Sequence, residues 1–108
     1  MREKPLESDW KTFRKRVPQW RERYLSRKNQ EIITVLTDEQ RTPTEQFWDA
    51  KAKMKEESKI LETCLDGHSR SKMSGYLSLM YRYGFIGDAD LDEFSGELRA
   101  RILIASRV

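Results

Sequence analysis

The sequence predicts an all-α protein, a compact bundle of four to five helices joined by short connections. Three observations predict this class. Glycine and proline number 5 and 3 among 108 residues, as expected for helices linked by short turns. Apolar side chains between residues 10 and 24 recur at intervals of three and four, the period of an amphipathic helix. The segment Thr42-Pro43-Thr44-Glu45 has the form of a helix start.

The first helical segment has an apolar stripe that ends in aromatic rings. We expect Ser8 to cap it, and Pro18 to kink or break it, because a proline inside a helix removes one hydrogen bond. Residues 29–36 fit a continued helix, but the β-branched segment 32–35 leaves that assignment open. The stripe consists of Trp10, Phe13, Val17, Trp20 and Tyr24.

The second helix is predicted from its cap at Thr42 to a stop at Asp66-Gly67. A further helix is expected over about residues 70–83, ended by Gly84. Asp88 or Asp90 should cap the last helix. The inner face of the second helix is predicted to be Phe47, Ala50, Met54, Ser58, Leu61 and Leu65. The central core residues of the bundle are predicted to be Phe47, Met54, Leu61, Leu77, Met80, Phe94 and Leu98.

The chain length favours a single domain over residues 1–108. We expect a flexible tail over residues 1–7, basic aromatic helices over 8–36 and a helical body over 43–108. Hydrophobic residues make up 37% and charged residues 36% of the chain, so the core should be lean and the surface strongly charged.

Positive charge is concentrated at the start of the chain. Residues 1–30 contain ten Lys or Arg against four Asp or Glu, whereas residues 31–66 contain five against nine and residues 67–108 six against five. The three segments therefore carry +6, −4 and +1, and the net charge is +3. A total this small does not by itself indicate a polyanionic partner, but a local +6 indicates a basic surface.

The sequence lacks the residues or spacing that several classes of site require. One cysteine, Cys64, excludes an intrachain disulfide, and with one histidine it cannot form a zinc site. The segment that begins at Asp88 resembles a calcium loop, but Glu93 stands where that loop requires glycine. We therefore expect no metal and no cofactor. No signal peptide and no membrane span is recognisable, so the expected setting is cytoplasmic. The overall character resembles short bacterial proteins, which implies no particular activity.

Two basic aromatic surfaces are candidate sites for a partner. Arginines flank the stripe of the first helix, and three lysines spaced by four lie beside Trp48 on the second. Such surfaces bind acidic proteins or nucleic acid, whereas the simpler interpretation is that the basic side chains border a buried face. The candidate partner-binding residues are Trp10, Arg14, Arg16, Trp20, Arg21, Arg23, Trp48, Lys51, Lys55 and Lys59.

A third candidate is the turn before the helix at residues 70–83. Free N–H groups at a helix start, together with hydroxyl and basic side chains, could hold a phosphate or carboxylate. The candidate anion-binding residues are Gly67, His68, Ser69, Arg70, Ser71 and Lys72.

These observations support three functional hypotheses. The first is a small protein-binding or adaptor module, whose partner is another protein or a second copy of the chain. The alternative is a nucleic-acid-binding protein that uses the basic aromatic segment with Lys51, Lys55 and Lys59. The third is an enzyme that uses His68 and Cys64, although no oriented catalytic group accompanies them in the sequence.

Overall fold

The computed structural model describes residues 6–106, and every regular element within that range is helical. A 3-10 turn at Arg70–Lys72 precedes the third helix. The predicted all-α bundle of four to five helices is confirmed. The expected tail at residues 1–7 lies mostly outside the described residues, and Glu7 already belongs to the first helix. The helices are α1 (Glu7–Leu36), α2 (Pro43–Leu65), α3 (Met73–Tyr83), α4 (Asp88–Leu91) and α5 (Gly96–Ala105).

Helix α1 is one continuous helix of 30 residues. It passes through Pro18 without the break that the sequence suggested, and the kink is minor. Pro18 is exposed, so water can hydrate the carbonyl that loses its hydrogen bond to the proline. The prediction of Ser8 as the cap is wrong. Leu6 occupies that position and makes no side-chain cap bond.

Helix α2 begins and ends as the sequence predicts. The hydroxyl of Thr42 accepts a hydrogen bond from the Glu45 backbone N–H at 3.1 Å, and the Thr42 N–H donates to the Glu45 carboxylate at 2.8 Å. At the other end Gly67 adopts a φ of 79°, a conformation that costs glycine little because it has no Cβ. Both ends are set by residues within four positions of each other.

Replacing Thr42 with alanine should lower the free energy of unfolding by about 1 kcal/mol, because one N–H at the start of α2 loses its acceptor. Chemical denaturation of the purified protein measures this. Thr44→Ala is the matched control, since Thr44 is exposed in the first turn of the same helix and should change stability by less than about 0.5 kcal/mol. Equal losses in both variants would contradict the assignment of the cap.

The C-terminal part differs from expectation in how its last helix starts. Asp90 accepts a hydrogen bond from the Gly87 N–H at 2.8 Å and so belongs to the separate short helix α4. Ser95 caps α5 by accepting from the Leu98 N–H. The prediction of Asp88 or Asp90 as the cap of the last helix is therefore wrong, because a second turn of chain lies between them and α5.

The core lies where the first half of α1 meets α3, α5 and the end of α2. The buried cluster contains Phe13, Trp20, Tyr24, Cys64, Met73, Leu77, Met80, Phe85, Ile86, Leu91, Phe94, Leu98 and Ile102. Helices α1 and α2 pair antiparallel, and the part of this hairpin at residues 28–56 extends beyond the cluster. We call it the hairpin arm. The molecule is elongated and measures 58 × 28 × 24 Å along its principal axes.

The predicted inner face of α2 is wrong in part, since Phe47, Met54 and Ser58 do not face the core. Phe47 and Met54 are exposed, and Ser58 is exposed beside them, whereas the buried residues of the helix are Ala50, Glu57 and Cys64. Leu61 and Leu65 are half-buried against the core. The other predicted core residues, Leu77, Met80, Phe94 and Leu98, are confirmed.

Candidate interaction surface

A seam of polar contacts between α1 and α2 fixes which side of α2 faces solvent. The hydroxyl of Tyr24 donates to Oε1 of Glu57 at 2.5 Å, and both residues are buried. The ammonium of Lys28 lies 3.7 Å from the other Glu57 oxygen, and Lys53 pairs with Glu31 at 2.8 Å. Burial raises the pKa of Tyr24, and its bond to the Glu57 carboxylate raises it further. The phenol therefore remains protonated and keeps donating to Glu57.

Because this polar side faces α1, the large apolar side chains of α2 face outward. Phe47 is 60%, Trp48 56% and Met54 51% exposed. The two rings touch edge to face, with centroids 5.1 Å apart and planes at 87°. At 100° per residue Trp48 lies opposite Glu57, whereas Met54 and Phe47 lie about 60° and 80° from Glu57 on one flank of the helix. They form an apolar surface on the hairpin arm.

Three lysines border this apolar surface. Lys51, Lys55 and Lys59 are exposed, and the ammonium of Lys51 lies 5.1 Å from the Trp48 ring centroid, a favourable cation–π distance. Within residues 6–106 these three lysines form no ion pair. Like charges four residues apart repel weakly. We call the combined surface the outer α2 face, defined by Phe47, Trp48, Lys51, Met54, Lys55 and Lys59.

Two of the candidate arginines of α1 hold the fold together. Arg16 pairs with Glu93 at 2.5 Å. Arg23 pairs with Asp90 at 2.8 Å and donates to the Phe85 carbonyl. Burial opposes ionisation of Asp90, but the hydrogen bonds from Arg23 and the Gly87 N–H and the charge of Arg23 together outweigh it, so the pKa of Asp90 is lowered. Both arginines attach α1 to the segment around α4, so their charge is already matched within the chain.

The remaining candidates on α1 lie apart from the outer α2 face. Trp20 is 2% exposed and belongs to the core. Trp10 is half-buried, with the guanidinium groups of Arg14 and Arg70 each 5.9 Å from its ring. Arg21 is exposed beside Glu22. Since Trp10 precedes the Tyr24–Glu57 contact by fourteen residues, it lies about 20 Å further along α1. The structure does not unite the two predicted surfaces.

The turn at residues 66–72 is occupied by contacts within the chain. His68 lies edge-on between the rings of Phe13 and Tyr76, at 4.9 and 4.5 Å, and its Nε2 bonds to the Cys64 carbonyl at 2.7 Å. Arg70 pairs with Glu7 at 3.0 Å. The remaining candidate side chains, Ser69, Ser71 and Lys72, make no cap bond to the 3-10 turn or to α3. The structure brings Gly67 to Lys72 together in the connection between α2 and α3, where His68 is partly buried and Arg70, Ser71 and Lys72 are exposed.

The chemistry at Cys64 does not favour a nucleophile. The side chain is fully buried, and burial raises its pKa from 9.0 to about 11. A nucleophilic cysteine needs its thiolate, which a positive or polar environment stabilises. Here the thiol stays protonated, and the imidazole nitrogen that could activate it points at a carbonyl instead.

Sequence reasoning missed Phe47 and Met54 as surface residues and Asp9 as a structural one. Asp9 is buried, and its carboxylate accepts from the Ser95 N–H and hydroxyl at 2.8 and 2.7 Å. A second period on α2, through Ala50, Glu57 and Cys64, was a signal in the sequence. It contains fewer apolar residues than the period chosen, so a count of apolar residues ranks it lower.

Comparison of the chain with protein-family models, with curated proteins and with solved structures finds no match. Across residues 6–106, none of the helices combines the length and the apolar character needed to cross a membrane. The same residues contain no group of three or more His, Cys, Asp or Glu side chains placed to hold a metal ion.

Proposed function

We propose that this protein is a protein-binding module and that its outer α2 face is the binding surface. One observation carries the proposal: three large apolar side chains, each more than half exposed, share one side of a helix with three lysines. Isolated exposed apolar residues are common on protein surfaces and need no explanation. A group of them with a polar border is typical of interaction sites.

The energetics support a protein partner. Removing apolar surface from water contributes about 25 cal/mol per Å², and Trp residues often dominate the binding energy of an interface. Trp48 and Phe47 are held against each other by their ring contact, so less side-chain freedom is lost when a partner covers them. Lysines at the border then contribute to specificity and to the association rate.

Nucleic acid is the alternative occupant, and the charge around this face argues against it. Helix α2 contains four lysines but five acidic residues. Of the five, Glu45, Asp49, Glu56 and Glu62 are exposed. A nucleic-acid backbone carries closely spaced negative charges along its whole length, so it would extend beyond the lysine row onto these carboxylates. Phe47 and Met54 would also gain little from a phosphate backbone. A protein surface with acidic and apolar groups fits better.

A photocrosslinking experiment tests this proposal. Benzoylphenylalanine placed at position 48 of the full chain, in cells of its source, should form adducts with one protein that mass spectrometry then identifies. Tyr83 on α3 is a matched control position, because it is an aromatic residue that is 40% exposed. Adducts at position 48 should disappear when Met54→Glu is added, since a charge then lies in the apolar contact.

Purification of the crosslinked protein and measurement of its affinity for the wild-type chain complete the test. Adducts no stronger at position 48 than at position 83, or adducts that consist of nucleic acid, would overturn the proposal. A cytoplasmic location likewise stays a prediction, and the same cells allow it to be checked by fractionation.

A further inference from the structure

We infer that the segment bound by the outer α2 face is an acidic amphipathic α-helix of another protein. This inference rests on the proposed function and names the partner chemistry of the same surface. The face runs from Phe47 to Lys59, so it is about 18 Å long at 1.5 Å per residue. It is the convex side of a single helix, and helices dock on such a side by fitting ridges of side chains into grooves.

The residues of the face form such ridges. One row at intervals of four contains Phe47, Lys51, Lys55 and Lys59, and the neighbouring row contains Met54, Ser58 and Glu62. The Ser58 hydroxyl donates to the Met54 carbonyl at 2.9 Å, so this small side chain is satisfied within its own helix. Ser58 is small, so it leaves space for a side chain of the partner helix, and Phe47 and Met54 make the surface beside it apolar. This groove suits a row of leucine-sized side chains on the partner.

The charges determine what must border that ridge on the partner. Three lysines at intervals of four repel one another, and none of them forms an ion pair within residues 6–106. A partner helix with carboxylates at every fourth position would place negative charges along the same row. The partner is thus apolar on one stripe and acidic on the adjacent stripe.

A second copy of the chain does not fit this face. In a parallel or antiparallel pair of outer α2 faces, the lysine rows of the two copies would lie along each other. An antiparallel pair centred on Lys51 would bring the two Lys51 ammonium groups together at the axis. Like charges juxtaposed across an interface are destabilising. The uniform sign of the row therefore selects a partner of opposite charge.

A designed peptide provides the test. The probe is an N-acetylated, fluorescently labelled peptide of about 18 residues, long enough to form a helix, with leucine at i, i+3, i+4 and i+7 and glutamate at every fourth position beside them. Fluorescence anisotropy should show saturable binding to the full chain. The double variant K51E/K55E should weaken binding by about tenfold or more, and K11E/K15E, two exposed lysines of α1 with the same change in charge, should leave it unchanged.

The decisive arm is a charge exchange. A peptide with lysine in place of each glutamate should bind K51E/K55E better than it binds the wild-type chain, because the pairing is restored with opposite sign. Loss of binding in F47A with K51E/K55E unaffected would show an apolar contact without charge recognition and would overturn the inference.

Other outcomes separate this inference from the proposed function. No binding of the glutamate peptide, together with a protein adduct from position 48, would overturn the acidic helix but leave the binding surface. A wild-type dimer in light scattering that F47A abolishes would replace the partner helix by a second copy. Absence of adducts at position 48 would remove the binding surface itself.

Discussion

Replacing Phe85 with alanine will lower the free energy of unfolding by about 3–5 kcal/mol. Phe85 is 1% exposed and follows α3 directly. Its ring stacks on Tyr24 with centroids 3.8 Å apart and planes at 2°. Its N–H donates to the Met80 carbonyl at 2.8 Å, which closes the helix after Gly84. The cavity would therefore open between α1 and α3, where the core residues are large and few. Urea denaturation followed by circular dichroism measures the loss.

The matched control is Phe47→Ala. Both substitutions remove the same side chain, but Phe47 is 60% exposed, so its loss should change stability by less than about 0.5 kcal/mol. The comparison of the two variants tests which side of α2 is buried. A large loss in Phe47→Ala would mean that the apolar period of α2 is its buried side after all.

The face of α2 shows why one helix is not enough to predict its own burial. Counting apolar residues selects the period that contains Phe47 and Met54. The structure instead buries Glu57, because Tyr24 donates to its carboxylate and Lys28 lies near it. These partners are 33 and 29 positions away in the sequence. Such partners offset the desolvation cost of burying a carboxylate. The apolar pattern of a single helix does not reveal them, because they lie on another helix.

The sequence predicted correctly those features that depend on residues close together in the chain. The cap at Thr42 and the positive φ of Gly67 and Gly84 depend on four or five consecutive residues. The stripe of α1 was also predicted correctly, because the other sides of this part of the helix are largely charged and only one side can be buried in the core. Long-range pairing accounts for the failures: Arg16 and Arg23 looked available in the sequence, but their acidic partners lie 77 and 67 positions away.

The candidate site was predictable in part. Trp48 and the three lysines were identified from their spacing, and the structure places them at the surface. Whether they bind a partner stays a prediction. The apolar half of the surface was not predicted, because Phe47 and Met54 were assigned to the core. Only the orientation of α2 against α1 joins the two halves into one face.

Raising the pH above 9 will destabilise the fold through Cys64. Burial raises the pKa of this thiol from 9.0 to about 11 in the folded state, while the unfolded chain exposes it to water. Between these values the unfolded state loses the thiol proton and the folded state keeps it. Since the folded state then binds more protons, its stability falls as pH rises. The loss is about 1 kcal/mol between pH 8 and pH 10, and it approaches about 3 kcal/mol well above pH 11.

Denaturation curves at intervals from pH 7 to pH 10 measure this, and Cys64→Ala is the control. The variant has a lower stability at pH 7 because a buried side chain is shortened, but its stability should depend less on pH above 8.5. Tyr24, whose pKa burial also raises, adds to the loss in both proteins as pH passes 10. If wild type and variant lose stability in parallel between pH 8 and pH 10, the thiol ionises as easily in the folded protein as in water. Cys64 would then be accessible to water, and the end of α2 would have to be packed more loosely in the buried cluster than the structure shows.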